Sequence, residues 1–108
     1  MIKAYINKQR QILIDPTVVL NSNNNTYEIQ FQFQSKLPSG YAYYLVLKPI
    51  FDIPQRIALD DNLRGVLPPL NGFYGDKLGI GLLAIKDGER YATNYYYVPL
   101  KTGADNNE

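Results

Sequence analysis

"LGIGLLAIKDGERYATNYYYV", residues 78–98, is the stretch whose reading decides the fold. Two strand-like runs flank Asp87-Gly88, and this dipeptide between such runs marks a two-residue hairpin, because a type I′ turn needs positive φ at both central positions. In the first run Gly79 and Gly81 lie two apart and share one strand face, where they leave room for a close neighbour such as a tyrosine ring. The second run ends in Tyr95-Tyr96-Tyr97. On a strand, Tyr95 and Tyr97 share one face, while Tyr96 points the other way with Asn94 and Val98. One of the two sets is therefore expected in the core.

The rest of the chain reads in the same way. Residues 27–34, YEIQFQFQ, alternate without interruption, with Tyr27, Ile29, Phe31 and Phe33 on one face and Glu28, Gln30, Gln32 and Gln34 on the other. That is a strand with one face on a core and one in water. The polar run Asn21 to Asn25 precedes it as a loop, and Leu37-Pro38-Ser39-Gly40 follows as a turn. YAYYLVLK, residues 41–48, is apolar on both faces, as a central strand is, and stops at Pro49. RIAL, residues 56–59, is a shorter strand ending in Asp60-Asp61-Asn62. Pro68-Pro69 and Asn71 to Gly75 form a loop or edge region. The first twenty residues read as strands from Ile2 to Ile6 and from Gln11 to Leu20, the latter interrupted by Asp15-Pro16.

No helix-period segment of useful length occurs. The pattern predicts an all-β fold, an immunoglobulin-like antiparallel β-sandwich of about 7 strands, with a partly open barrel as the alternative. Residues 1–101 are expected to form a single domain, and 102–108 a flexible tail or the start of a linker.

Composition narrows the function classes. The 108 residues fit one domain, and ten Tyr and four Phe without Trp suit half-buried pleated surfaces. The net charge of +1 and the mixing of acids with bases leave no basic patch for a phosphate backbone, so no nucleic-acid partner is expected. Lys3, Lys8 and Arg10 read as a solvated edge. There is no Cys, so packing rather than disulfides must stabilise the fold. The N-terminus lacks the apolar core of a signal peptide, and no run approaches the ~18 apolar residues of a membrane span. A soluble chain made in the cytoplasm is expected, with no membrane partner.

The usual catalytic groups are missing: there is no His or Cys, and Ser22, Ser35 and Ser39 stand in no nucleophile-elbow setting. Asp60-Asp61-Asn62 lacks the spacing of a calcium loop and reads as a turn cap. Gly75, Gly79 and Gly81 are followed by no helix with a Lys-Ser or Lys-Thr ending, so they do not form a phosphate-cradling loop. The chain is expected to be no enzyme, with no catalytic residue, metal ligand or cofactor. The candidates for an interface or ligand surface are Tyr95, Tyr96, Tyr97, Tyr91, Tyr74 and Phe73. They serve either as packing groups or as a stacking platform for sugars or bases.

Taken in order, "YEIQFQFQSKLPSGYAYYLVLK", "IALDDN", "VLPPL" and "KLGIGLLAIKDGERYATNYYYVPLKTGA" resemble the small immunoglobulin-like domain of structural proteins in phages and prophages of Gram-positive bacteria. The resemblance covers about residues 27–104. It implies a non-catalytic virion structural protein, an attachment or spacer domain of a tail baseplate or fibre, or of a head fibre. It further implies location in the virion after synthesis in the host bacterial cytoplasm. The implied partners are other virion structural proteins and further copies of the chain, a trimer being favoured. The alternative is a carbohydrate-binding module that recognises host cell-surface polysaccharide through exposed tyrosines.

Overall fold

The computed structural model describes residues 1–23 and 27–101; the end of the asparagine-rich loop at 24–26 and the expected tail at 102–108 lie outside the described residues. Period-two alternation builds β1 (Ile2–Ile6) and β2 (Ile12–Ile14), which bury Ile2, Ala4, Ile6, Ile12 and Ile14 and leave the residues between them exposed. Asp15 ends β2. Its carboxylate accepts from the Thr17 N–H at 2.8 Å and the Thr17 hydroxyl at 2.7 Å, which holds the acid below its ordinary pKa. The chain then enters the other sheet as β3 (Leu20–Asn21) and returns as β4 (Glu28–Phe33), where Ile29 and Phe31 are buried.

β5 (Ala42–Pro49) is the expected central strand, followed by β6 (Gln55–Ala58) and β7 (Arg64–Val66). Asp60 caps the turn between them, accepting from the Asn62 and Arg64 N–H groups at 2.8 and 2.9 Å. β8 (Lys77–Lys86), β9 (Glu89–Ala92) and β10 (Tyr96–Lys101) complete the chain. Between β8 and β9, Asp87 and Gly88 have φ of 47° and 85°, the two positive values that a type I′ turn requires.

The strands form two sheets, in the orders β2-β1-β4-β7 and β3-β10-β8-β5-β6, with β9 also on β8. Their inner faces meet in one hydrophobic cluster. Ile6, Ile12, Ile29 and Phe31 come from the smaller sheet; Leu45, Leu47, Ile80, Leu82 and Val98 come from the larger. This arrangement is all-β and compatible with a sandwich. Not every pairing is antiparallel, however: β1 runs parallel to β4, and β3 to β10. Parallel neighbours need a long connection, and the excursion of the chain through β3 supplies it for β1 and β4. The strands outnumber the expected seven because β3 and β7 are very short and because β9 and β10 are one strand divided by a bulge.

The bulge is visible in the register. Leu83 pairs with Ala92 and Ile80 with Tyr96, so Thr93, Asn94 and Tyr95 stand opposite only Gly81 and Leu82. One extra residue shifts the side-chain alternation by one. Tyr91 turns toward the core before the bulge, and Tyr96, Val98 and Leu100 do so after it. The Thr93 hydroxyl closes the gap in the ladder by accepting from the Leu82 N–H at 2.9 Å and donating to the Asn94 carbonyl at 2.8 Å. Asn94 then ties the two sheets together. Its N–H donates to the Arg10 carbonyl at 3.3 Å, and its Oδ1 accepts from the Ile12 N–H at 3.0 Å.

Ile12 is almost fully buried, so deleting the acceptor strands its N–H. Asn94→Ala is expected to destabilise the fold by about 1–3 kcal/mol, the usual penalty for an unsatisfied buried donor. Asn94→Asp keeps an oxygen there and should lose less. Urea midpoints of the two variants compare the costs directly, and equal loss in both would argue against the acceptor role.

Candidate functional site

The outer face of the larger sheet follows from the register. Arg56 of β6 is opposite Val46 of β5, Val46 opposite Gly81 of β8, and Lys48 opposite Gly79. Alternation places all of these on the side away from the core. The two glycines leave a flat floor, and tyrosine rings occupy the space above it. A Cβ on Gly79 would lie 3.1 Å from Tyr97 Cε1, and one on Gly81 would lie 3.0 Å from Tyr95 Cδ1. The neighbour expected for the glycine pair is therefore a pair of rings, with their centroids 6.4 Å apart. Beside them Val46, Pro54, Arg56, Gly81, Leu83 and Tyr95 help to line a shallow depression of about 230 Å³.

The six aromatic candidates do not form one site. Tyr95 and Tyr97 are exposed on the outer face, whereas Tyr96 packs against the core between the sheets. Phe73 is only 8% exposed, and what it shows to solvent lies in the wall of the depression beside Tyr74. The segment expected to be a plain loop carries Leu67, Leu70 and Phe73 inward, with a single 3-10 turn at Leu70–Gly72. The turn sets only Leu70 and Phe73, three apart, with the Phe73 N–H donating to the Leu70 carbonyl at 3.1 Å; Leu67 precedes it in extended chain.

Tyr91 belongs to a third place, an aromatic file at the β1–β2 end of the molecule. Tyr91 meets Phe33 at 5.8 Å and Phe33 meets Tyr43 at 5.9 Å, centroid to centroid. The Arg10 guanidinium lies 4.5 Å from the centroid of the Tyr91 ring, so Arg10 is not merely part of a solvated edge. Burial raises the pKa of both Tyr43 and Tyr91 above the ordinary value.

Tyr74 stands at the opposite end of β5, in company that the sequence reading passed over. Phe51 is 80% exposed, Ile53 75% and Tyr74 76%. Phe51 and Tyr74 line a depression of about 240 Å³ with Pro49, Pro68 and Pro69. Lys48 braces the base of the loop, its ammonium donating to the carbonyls of Pro49 and Asp52, both at 2.8 Å. Ile50 links this tip to the outer face, since it lines a further hollow with Lys48, Lys77 and Tyr97. The signal for the tip was "PIFDIP", residues 49–54, an apolar stretch between prolines that has no strand partner.

Among the described residues, no cluster of three His, Cys, Asp or Glu side chains could hold a metal ion, and no helix is long and apolar enough to cross a membrane. Comparison with protein-family models finds no match, and comparison with curated proteins finds none of significance.

Two outcomes follow from this geometry. Gly79→Ala brings a methyl 3.1 Å from Lys48 Cβ and 3.2 Å from the Lys48 carbonyl, which cannot move aside. It should cost about 1–3 kcal/mol by overpacking. At Gly81 the tightest contacts are to the exposed Tyr95 ring, which can swing away, so Gly81→Ala should be close to neutral by thermal unfolding.

The second outcome concerns alkali. With folded-state values raised, the half-buried phenols Tyr43 and Tyr91 keep their protons while the unfolded chain releases them near pH ~10. Their contribution is thus full below about pH 10 and is lost as pH rises through the folded-state values. Tyr43→Phe and Tyr91→Phe should each flatten the fall of the urea midpoint above that pH. An unchanged slope in both would rule out this linkage.

Proposed function

We propose that this chain is a non-catalytic attachment or spacer domain of a phage virion. In this reading it is an immunoglobulin-like sandwich that docks on neighbouring baseplate, tail-fibre or head-fibre subunits by protein–protein contacts. The observation that carries the reading is the tip formed by Phe51, Ile53 and Tyr74, three large apolar side chains standing in solvent on a rigid all-β frame. Phe51 and Tyr74 share one depression, Ile53 stands exposed on the same loop as Phe51, and exposed apolar and aromatic side chains of this kind mark interaction sites and anchor the centres of interfaces. The hydrogen-bonded clamp at Lys48 preorganises the tip, so little ordering entropy opposes docking. The assignment to a virion rests on the order of sequence motifs, and a trimer is the favoured assembly.

Light scattering provides the test. A homo-oligomer is expected, and Phe51→Ser with Ile53→Ser should weaken its association at least about tenfold, the loss of a central apolar anchor. A strict monomer at high concentration that binds no other virion structural protein would overturn the proposal.

A second reading, a module that binds host cell-surface polysaccharide, is favoured by one specific observation. Tyr95 and Tyr97 lie beside each other over the glycine floor, with both rings exposed to solvent.

A further inference from the structure

We infer that the depression on the outer face of the larger sheet is a binding site for an acidic saccharide. Tyr95 carries the sugar over a floor of Val46, Gly81 and Leu83, and Arg56 and Arg90 hold carboxylates at its two ends. The inference rests on the polysaccharide reading and adds the charge of the ligand and the residues that recognise it.

The placement of the two arginines comes from the strand register. Arg56 is opposite Val46 on β5, and Arg90 is opposite Ile85 on β8. Both alternate outward with the floor, and they approach it from opposite banks, β6 on one side and β9 on the other. Three strand spacings, about 14 Å, separate those banks, and the four residues from Gly81 to Ile85 offset the two positions by about 13 Å along β8, so the arginines stand at opposite corners of the depression. Arg56, Arg90, Val46, Leu83 and Tyr95 all line the same depression, and no Asp or Glu lines it. Among the described residues, neither arginine side chain has a hydrogen bond, ion pair or ring contact with another residue. Two unpaired guanidinium groups facing one apolar floor offer charge complementarity to an anion, and each can take a carboxylate by a two-pronged pair.

The floor selects the body of that anion. A pyranose has an apolar C–H face that fits the exposed Tyr95 ring, while a carboxylate in the ring plane extends toward the banks. The other classes fit less well. An extended peptide is held through free backbone groups at a sheet edge, but β5 and β8 are paired on both sides. Duplex nucleic acid calls for a long basic stripe, and the net charge here is only +1.

Titration calorimetry on the whole chain provides the test, with trigalacturonate, its carboxyl-reduced counterpart and a hexathymidylate of DNA as probes. Trigalacturonate should bind, and carboxyl reduction should weaken it at least about tenfold. Arg56→Gln and Arg90→Gln should each do the same while leaving the thermal unfolding midpoint in place, and Tyr95→Ala should also weaken binding. Equal affinity for the reduced sugar, or indifference to both arginine substitutions, would overturn the inference and leave the polysaccharide reading standing. Absence of binding by either saccharide at millimolar concentration would remove both. Tighter binding of hexathymidylate than of trigalacturonate would overturn the inference in favour of single-stranded nucleic acid.

Discussion

One extra residue in the last strand governs the molecule. Thr93, Asn94 and Tyr95 oppose two residues of β8, and the resulting slip in alternation decides which of the C-terminal side chains are core and which are surface. Without the slip, the face of Tyr91 would continue through Tyr95 and Tyr97, and those rings would turn inward while Tyr96 and Val98 turned out to solvent. With it, Tyr96, Val98 and Leu100 complete the interior, and Tyr95 and Tyr97 cover Gly81 and Gly79 outside. The same bulge turns the Asn94 amide toward the opposite sheet, where it bonds the backbone of Arg10 and Ile12. A local irregularity thus joins the two sheets and creates the aromatic outer face at once.

The two ends of β5 serve different purposes. Near its start, Tyr43, Phe33 and Tyr91 pack at tilted and edge-on angles into a half-buried file closed by Arg10 from the β1–β2 turn. Beyond its end, Pro49 and Pro54 bracket a loop that pairs with nothing and holds Phe51 and Ile53 in solvent. The segment from Leu67 to Phe73 separates these roles within a few residues. Leu67, Leu70 and Phe73 plug the core, while Tyr74, the next residue, joins the exposed tip. The same loop supplies stability and surface because Leu70 and Phe73, three apart on a tight turn, point one way.

Much of this is legible in the chain because local rules act within a few residues. The faultless alternation of residues 27–34 describes β4, and the doubly apolar run 41–48 describes β5. Asp87-Gly88 specifies its own turn, and Asp60 caps its own loop. Gly79 and Gly81 announce close neighbours, since a strand gains nothing from glycine unless something lies against it. These features depend on sterics, turn dihedrals and hydrogen bonds between residues near in sequence. The parallel pairings of β1 with β4 and of β3 with β10 are less accessible, because they join segments 20 or more residues apart through a change of sheet.

By itself, then, the sequence determined that the chain is built of strands, where most of them turn, and that Tyr95 and Tyr97 must part company from Tyr96. Which of those two sets faces water was decided only in the tertiary structure. Alternation defines two faces but does not label them. The label came from the interior, where Tyr96 fits beside Ile80 and Val98, and from Asn94, whose bonds to Arg10 and Ile12 hold the bulge that aims the strand. The site residues Arg56 and Arg90 were hidden for the same reason. They stand 34 positions apart in the chain, and only the pairing of β6 and β9 to either side of the β5–β8 pair sets them over one floor.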